Sequence, residues 1–319
     1  MKSFQIQPND AGQRLDKFVS KTLPSLPQSL LYKYLRLKRI KRNGKKAEIS
    51  ARLQTGDIVD MYIPDEFFVA ADQDLRYDFL NAGKRLDILY EDDNILLLNK
   101  ESGLLSHPDE GEYTDTLITR VQRYLYEKGE FDPKNEASFT PALANRIDRN
   151  TQGIVMAAKN AEALRILNDK IRDREIKKFY LCVLIGAPPK TQDTATAYMV
   201  KNEEKNMVKV YPTPAPGRKT MLTKYRVLRR KNGLSLVEVE LLTGRTHQIR
   251  AHMAYLGCPL LGDGKYGRGD LNKQYGGYKK QLLCSYKTVF SFTTDAGILN
   301  GLKDKSFEIR DVPFLDLFD

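Results

Sequence analysis

The stretch that decides the fold of this chain is Asn145-Arg146-Ile147-Asp148-Arg149-Asn150-Thr151-Gln152-Gly153. Its one carboxylate, Asp148, stands between two arginines, and an apolar run from Ile154 to Ala158 follows directly. Opposite charge within a few Å favours the ionised form of a carboxyl group. We therefore expect Asp148 to be held ionised by its cationic neighbours, which suits a nucleophile or a general base rather than a general acid. Taken alone, the stretch fits equally well a surface loop with an ordinary ion pair.

Composition narrows the class of protein. A chain of 319 residues is long for one hydrophobic core and indicates two or three domains. Its net charge of +11 favours a polyanionic partner. No apolar run approaches the roughly 20 residues of a membrane span, and the first residues have no signal-peptide core. The three cysteines, Cys182, Cys258 and Cys284, are widely spaced, so we expect neither disulfides nor a zinc site, and a cytoplasmic location.

The positive charge is concentrated near the N-terminus. Residues 1–63 carry thirteen Lys and Arg against five Asp and Glu, a net +8 of the total +11. Residues 32–46 contain eight basic side chains and no acidic one. Like charges at this density repel one another unless an anion is present, which favours nucleic-acid contact over a solvated helix face. Apolar spacing predicts two short helices, 11–19 and 28–37, followed by a turn at Asn43-Gly44 and short strands within 52–63.

The remaining chain predicts strands with helices at irregular intervals. We expect a linker over residues 64–85 and a single domain over residues 86–319. The predicted strands are 86–90, 95–99, 154–158, 179–185, an edge strand at 207–211, and the pair 225–230 and 235–242 around Asn232-Gly233. The predicted helices are 116–128, 160–173 with Asn160 as N-cap, and 246–256 ended by Gly257. This order predicts an α+β fold with a mixed, largely antiparallel central sheet, not a doubly wound one.

A second informative stretch is Gly244-Arg245-Thr246-His247-Gln248-Ile249-Arg250, where polar side chains cluster at a predicted helix N-terminus that attracts anions. His247 fits a functional role and a structural hydrogen bond equally well. It does not form a metal site with His252, because their spacing of five places them on different helix faces. Residues 262–267 match G-x-G-x-x-G, but they follow a helix and a proline, so a dinucleotide site is not expected.

Together these residues resemble the RluA-type RNA pseudouridine synthases. Residues 145–153 resemble the central motif of that family, and three further segments resemble its other motifs in the family's order: 90–108, 178–180 and 244–263. Residues 1–63 resemble the alpha-L RNA-binding domain, a small αβ module shared with a ribosomal protein. Departures from the pattern occur at Asn145, at Gln152 and near residues 283–285.

The resemblance implies a role for each matching residue. Asp148 corresponds to the catalytic aspartate, Tyr180 to the tyrosine that stacks on the target base, and Arg250 to the arginine paired with the aspartate. We add candidate substrate contacts at Arg146, Lys178, Arg245, His247 and Gln248. In the basic module the resemblance implies RNA backbone contacts from Lys33, Arg36, Lys38, Arg39, Lys41 and Arg42. The implied partner is RNA, most readily large-subunit ribosomal RNA, acted on by a monomer.

The chemistry of this isomerisation agrees with the motifs. Uridine becomes pseudouridine when a carbon–nitrogen bond breaks, the uracil turns, and a carbon–carbon bond forms to the same ribose. No electron or group carrier takes part, so neither a cofactor nor a metal is expected. The reaction needs an ionised carboxylate, a cation that holds it and an aromatic platform.

Three alternatives stay open from sequence. A glycosidase normally uses two carboxylates, and only Asp148 has such a setting. A non-catalytic RNA-binding or ribosome-assembly protein fits the basic module equally well. The same isomerisation on tRNA is the third.

Overall fold

The computed structural model describes residues 1–69 and 75–319. In its N-terminal part, four short strands form an antiparallel sheet in the order β1-β4-β2-β3, against which two helices pack. Leu15, Phe18, Leu31 and Leu35 are buried in this small core, as the apolar spacing predicts. The elements are β1 Lys2–Gln5, α1 Leu15–Thr22, α2 Gln28–Arg36, β2 Ile40–Arg42, β3 Lys45–Lys46 and β4 Ile58–Met61.

The segment predicted as a linker is partly structured. It contains α3 (Glu66–Val69) and a 3-10 helix (Leu75–Asn81), while the prediction for residues 70–74 lies outside the described residues. Phe79 is buried and packs in one cluster with Val121, Leu125 and Phe131. Residues after 75 therefore pack with the part of the chain that follows, and the second core begins before the predicted boundary at residue 86.

The second part is built on one large mixed sheet. Its strand order is β11-β10-β12-β13-β9-β14-β8-β6-β5, with β7 paired to β8 and β15 to β14. The pairs are antiparallel except β8 with β14, which is parallel. This confirms the predicted α+β class and the largely antiparallel sheet. The strands are β5 Ile88–Glu91, β6 Ile95–Lys100, β7 Ala142–Leu143, β8 Gln152–Ala158, β9 Ile176–Ile185, β10 Gln192–Asn202, β11 Met207–Tyr211, β12 Lys219–Lys231, β13 Leu234–Leu241, β14 Leu283–Phe290 and β15 Ser306–Glu308.

The helices of this part begin where the sequence places polar caps. Thr116 and Thr119 form a reciprocal capping box, and the Asn160 side chain accepts from the Ala163 N–H at 2.8 Å. The helices are α4 Leu117–Glu127, α5 Ala161–Arg172, α6 Gln248–Tyr255 and α7 Gly269–Gln274, followed near the C-terminus by 3-10 helices Gly297–Leu302 and Pro313–Phe318. No helix in the described part of the chain is long and apolar enough to cross a membrane.

Residues 145–153, the stretch that carries Asp148, lead into β8, an interior strand of the large sheet. Asp148 belongs to the loop between β7 and β8, and β8 lies between β6 and β14. Gly153 has φ +126°, and a Cβ built on it would lie 2.3 Å from the backbone oxygen of Ser285 on β14. Only glycine combines this dihedral angle with so close a backbone approach. The last residue of the stretch is therefore required for β8 to pair with β14.

Candidate active site

The loop that carries Asp148 is hydrogen-bonded to a second loop, which follows β6. The Gly103 N–H donates to the Arg149 carbonyl at 2.8 Å, and the Arg149 Nε donates back to the Gly103 carbonyl at 3.1 Å. The Ser106 hydroxyl donates to the Ile147 carbonyl at 3.0 Å. These bonds fix the backbone on both sides of Asp148, so its carboxylate starts from a defined position.

Lys100, at the end of β6, lies beneath these two loops. Its side chain is buried, and its Nζ donates to the carbonyls of Glu101, Leu104 and Arg149 at 2.9, 2.6 and 2.9 Å. Burial lowers the pKa of Lys100 to about 7, while the charges of Asp148 and Glu101 act to raise it. Because only an ammonium group has three hydrogens for three carbonyls, we assign Lys100 the charged form.

Asp148 and Arg250 form the central ion pair. Arg250, in the first turn of α6, donates from Nη1 to Asp148 Oδ2 at 2.9 Å. Its Nε and Nη2 donate to the two carboxylate oxygens of Asp263, each at 2.8 Å. The Asp148 side chain is 26% exposed, whereas that of Asp263 is fully buried. Asp148 is thus the carboxylate that a substrate can reach, and in the described part of the chain its Oδ1 accepts no hydrogen bond.

Asp148, Arg250 and Asp263 form a triad in which the opposite charges stabilise one another. Burial acts to lower the pKa of Arg250, but the hydrogen bonds and charges of Asp263 and Asp148 outweigh burial and raise it. Burial acts to raise the pKa of Asp263, but Arg250 and the backbone N–H groups of Lys265 and Tyr266 lower it. Arg250 is therefore a permanent cation, and both oxygens of Asp263 are occupied. Asp263 is not available as the second carboxylate of a glycosidase.

His247 lies near the same carboxylate oxygen of Asp148 that Arg250 contacts. Its Nε2 is 4.0 Å from Asp148 Oδ2, and its Nδ1 is 2.9 Å from the hydroxyl of Tyr266. The Tyr266 hydroxyl also accepts from the Val208 N–H at 2.8 Å. Burial lowers the pKa of His247; Asp148 and Asp263 act to raise it, and Arg250 and Lys265 lower it further. The structure thus places His247 near the carboxylate and in contact with Tyr266, and its role in the reaction stays a prediction.

Tyr180 lies on β9. In the sheet, β14 separates β9 from β8, the strand that follows the Asp148 loop. Its side chain is 5% exposed and packs in the main core with Val237, Val239 and Ile249. Burial raises the pKa of Tyr180 to about 12, against a hydrogen bond with Ser285, and the charge of Asp148 raises it as well. Tyr180 is therefore a neutral phenol within electrostatic range of the carboxylate.

Lys178 is on the same strand, two residues before Tyr180, so the two side chains share a face. Burial lowers the pKa of Lys178, and no carboxylate pairs with it among the described residues.

Several expected contacts need correction. The arginines next to Asp148 in sequence do not pair with it, since Arg149 donates to the Gly103 carbonyl and Arg146 is exposed without an ion pair in the described chain. Gln248 is buried, and its amide is engaged by Leu222, Thr223, Thr243 and Arg245. Its expected role in substrate binding is wrong, because all of its polar atoms are already bonded. Arg245 is exposed, and its Nε donates to the Thr220 carbonyl at 3.2 Å.

In the N-terminal part, Lys33, Arg36 and Arg39 are exposed on or just after α2, and none forms an ion pair in the described structure. Arg42 differs, since its Nε lies 2.7 Å from Asp57 Oδ2. Its guanidinium is therefore partly engaged by Asp57 within the protein, which corrects the expectation that the whole group is available to contact RNA.

Three site residues escaped sequence reasoning: Lys100, Asp263 and Tyr266. The segment that holds Asp263 and Tyr266 matches a formal dinucleotide motif and resembles a family motif, and neither match predicts its contacts with Arg250 and His247. The missed signal was an isolated acid and an aromatic after a buried apolar run, Pro259–Leu261. In the described residues, no three His, Cys, Asp or Glu side chains are grouped so as to hold a metal ion, and the three cysteines are free and buried.

The fold and the site define a class: an enzyme whose site carboxylate, Asp148, is partly exposed and is bonded to a buried arginine next to an interior strand of a mixed sheet. The family model described as RNA pseudouridylate synthase matches residues 94–255. The chain belongs to this family and is an RNA pseudouridine synthase, with RNA as its partner. Family membership argues against the glycosidase and the non-catalytic binding protein.

Relatives cover most of the chain. It is 32% identical over 280 residues to "Ribosomal large subunit pseudouridine synthase C" of Vibrio parahaemolyticus, covering 87% of this chain and 82% of that protein. It is 34% identical over 268 residues to the protein of the same name from Rickettsia bellii, covering 82% and 84%. An uncharacterised RNA pseudouridine synthase of Mycoplasma genitalium is 31% identical over 319 residues, covering 98% and 97%.

Solved structures agree on the fold. Human RNA pseudouridylate synthase domain containing 4 superimposes with a TM-score of 0.55 at 19% identity, covering 72% of this chain and 90% of that one. Human RNA pseudouridylate synthase domain containing 1 gives a TM-score of 0.51 at 21% identity, covering 73% and 94%. At these identities the likeness shows the fold alone.

Proposed function

We propose that this enzyme isomerises uridines of large-subunit ribosomal RNA to pseudouridine, with Asp148 as the catalytic carboxylate. The observation that carries the proposal is the asymmetry of the Asp148 carboxylate. Arg250 and His247 face Oδ2, while Oδ1 is without a hydrogen bond from the described residues. An oxygen with unused lone pairs on a carboxylate neutralised from one side is placed to react with the ribose.

The reaction begins at the glycosidic bond. Oδ1 of Asp148 either attacks the anomeric carbon or removes the hydrogen on the 2′ carbon, and both routes start from the ionised carboxylate that Arg250 stabilises. The N1–C1′ bond breaks, the uracil turns, and the C5–C1′ bond forms. In the first route this step displaces the Asp148 oxygen from C1′ as a free carboxylate, and in the second route Asp148 returns the proton to the 2′ carbon. The hydrogen on C5 then leaves as a proton, and N1 takes up a proton, so atoms and charge balance without a co-reactant.

We assign the base side of the site to Tyr180 and Lys178. Turning a uridine out of folded RNA costs a few kcal/mol, and aromatic stacking returns roughly 1–3 kcal/mol per base. Because Tyr180 is 5% exposed, it offers the base only a small part of its ring. We expect a base contact at the ring's open side, beside Lys178, which has no ion-pair partner among the described residues.

The substrate assignment rests on the relatives and on the basic N-terminal part. Two of the relatives are named for the large ribosomal subunit. We propose that residues 1–63 form an alpha-L RNA-binding domain and that residues from about 75 onward form the catalytic domain. The exposed cations Lys33, Arg36 and Arg39 would contact RNA phosphates, with Arg146 and Arg245 contacting the backbone near the target. We further propose a monomer that works in the cytoplasm.

The test is tritium release from RNA labelled at carbon five of uridine. Bulk ribosomal RNA and bulk tRNA are each incubated with wild type, Asp148→Asn and Asp311→Asn. Asp148→Asn keeps the shape of the side chain and removes the charge. Asp311 is exposed without an ion pair among the described residues, so Asp311→Asn controls for loss of an acid elsewhere.

We expect wild type and Asp311→Asn to release tritium from ribosomal RNA, and Asp148→Asn to release none above background. Release from Asp148→Asn at the wild-type rate would refute the role of Asp148. Release from tRNA alone would keep the chemistry and replace the substrate.

A further inference from the structure

Tyr266 connects the edge strand β11 to the catalytic carboxylate through His247. The phenol oxygen accepts the Val208 N–H at 2.8 Å and lies 2.9 Å from His247 Nδ1. Tyr266 is half-buried, and its ring packs edge-on against His247 with ring centroids 5.7 Å apart. The same ring lies 5.4 Å from the Arg250 guanidinium. Tyr266 thus contacts both residues that face Asp148.

The hydrogen count decides which nitrogen of His247 carries the proton. A phenol has one hydrogen to donate and accepts through its oxygen. Val208 is a donor, so it cannot take the phenol hydrogen. Among the described residues, the acceptor within reach is His247 Nδ1. A neutral imidazole that accepts at one nitrogen carries its hydrogen on the other.

We propose that Tyr266 holds His247 as the neutral tautomer with its hydrogen on Nε2, and that this N–H is a second donor that orients Asp148. The proposal rests on the proposed function, since it assigns His247 as a positioning residue for the catalytic carboxylate. Nε2 is 4.0 Å from Oδ2, longer than a hydrogen bond. Catalytic hydrogen bonds are often long without substrate and shorten in the complex.

The alternatives are a neutral ring with its hydrogen on Nδ1 and a doubly protonated ring. Both would donate from Nδ1 and leave the phenol hydrogen without an acceptor among the described residues. The charged groups that face the ring are Asp148 and Asp263, which favour the cation, and Arg250 and Lys265, which oppose it. Burial is the largest influence and lowers the pKa of His247, and Arg250, which is bonded to both carboxylates, leaves only a net charge of −1 among these three groups. The balance favours the neutral ring.

The backbone of His247 supports a specific placement. The residue has φ +50° and ψ +24°, the left-handed region, directly before the first turn of α6. This conformation is uncommon for a residue with a side chain, because the Cβ is then crowded by the backbone. In this conformation the imidazole lies 2.9 Å from the Tyr266 hydroxyl and 4.0 Å from Asp148 Oδ2. Strain of this kind is retained where the surroundings fix it, often in active sites.

The experiment is a two-bond ¹⁵N–¹H correlation spectrum of the full-length protein labelled with ¹⁵N-histidine. The chain has three histidines, so His247 is assigned by the signal that disappears in His247→Gln. We expect the neutral Nε2–H pattern at pH 7. An Nδ1–H pattern or an imidazolium pattern in the wild type would overturn the proposal, whether or not the enzyme proves active on any RNA.

Two tyrosine variants supply the comparison. Tyr266→Phe removes the donor to Nδ1, and Tyr90→Phe removes a hydroxyl that bonds Asp92 elsewhere in the sheet. In Tyr266→Phe we expect a mixed His247 tautomer, kcat lower by about tenfold and KM little changed, since an oriented hydrogen bond is worth about this much. In Tyr90→Phe we expect the wild-type spectrum and kcat. A Tyr266→Phe spectrum identical to that of the wild type would refute the role of the phenol.

Discussion

Arg250 shows how single residues divide the work in this site. Its three nitrogens serve two carboxylates, with Nε and Nη2 on Asp263 and Nη1 on Asp148. The two bonds to Asp263 fix the plane of the guanidinium, and that plane determines where Nη1 points. A lysine could not replace it, because an ammonium group has no planar fork.

Asp263→Asn tests whether Asp263 fixes the position of the Arg250 guanidinium. The change removes one charge beside a buried guanidinium, and breaking a buried pair costs about 3 kcal/mol or more. We expect a lower urea midpoint and tritium release at least tenfold slower than in wild type. Asp173→Asn, an exposed acid that pairs with Arg172 at the surface, should change neither.

The pH dependence of the stability difference provides a second test of the Asp263–Arg250 ion pair. Arg250 and two backbone N–H groups lower the pKa of folded Asp263, so its contribution to stability is present above its unfolded pKa of about 3.9. That contribution is lost as pH falls through the lower folded pKa. The stability gap between wild type and Asp263→Asn should therefore narrow as the pH falls from 5 to 3. A constant gap would mean that the ion pair is not its source.

Sequence reasoning reached part of this residue-level arrangement. Asp148 stood out as a lone acid, and resemblance supplied its pairing with Arg250. The expectation that Arg146 and Arg149 hold Asp148 was wrong, because adjacency along a loop does not direct two side chains toward each other. The actual partner is 102 positions away, and only the fold brings it within 2.9 Å.

At the scale of elements, the parallel pairing of β8 with β14 is the most constrained contact near the site. It joins Gln152 to Cys284 and Gly153 to Ser285. In Gly153→Ala, the new methyl would meet the Ser285 backbone at 2.3 Å, and backbone cannot move aside as a flexible side chain can. The positive φ adds strain to this overpacking.

We expect Gly153→Ala to lose about 3 kcal/mol of stability or more. The control is Gly301→Ala, since a Cβ at Gly301 meets nothing within 4 Å and its φ is not in the left-handed region. Thermal unfolding followed by circular dichroism compares the two. Equal Tm values for both variants would show that β8 and β14 can separate at this point without cost.

Elements with strong apolar patterns were predictable. The strand at Ile154–Ala158, the helix capped by Asn160 and the hairpin at Asn232-Gly233 are all confirmed. The eleven-residue strand β10 was missed, because its buried face is made of Ala195, Ala197 and Met199, and small residues give a weak hydrophobic signal. Helix α6 begins two residues later than expected, since His247 is in the left-handed conformation.

At the scale of the whole molecule, polar contacts dock the N-terminal part on the remainder. The Asn9 amide donates to Glu136 at 2.9 Å, Ser138 donates to Asp10 at 2.6 Å, and Arg165 donates to the Ala11 carbonyl at 2.9 Å. These partners are more than 120 positions apart, so no local pattern could reveal them. The contacts attach residues 9–11 of the N-terminal part to the part of the chain that carries Asp148.

The RNA contacts proposed for Lys33 and Arg36 can be tested without removing the N-terminal part. Lys33 and Arg36 lie on α2, are exposed, and form no ion pair within the described chain. Each cation that neutralises a phosphate adds roughly 0.7–0.9 to the slope of log affinity against log salt. We expect Lys33→Ala/Arg36→Ala to lower the magnitude of that slope by about 1.5 and to weaken ribosomal RNA binding most at low salt. Binding at several salt concentrations, followed by filter retention, measures this.

The matched control is Lys303→Ala/Arg310→Ala, which removes one lysine and one arginine that are also exposed without ion pairs among the described residues. The residues next to this pair belong to hydrophobic clusters that are separate from the core of the N-terminal part. If phosphates bind mainly at α2, the control keeps the wild-type slope, although it loses the same net charge. Equal slopes for the two double variants would mean that net charge alone attracts the RNA, and the proposed alpha-L domain would lose its role as the docking surface.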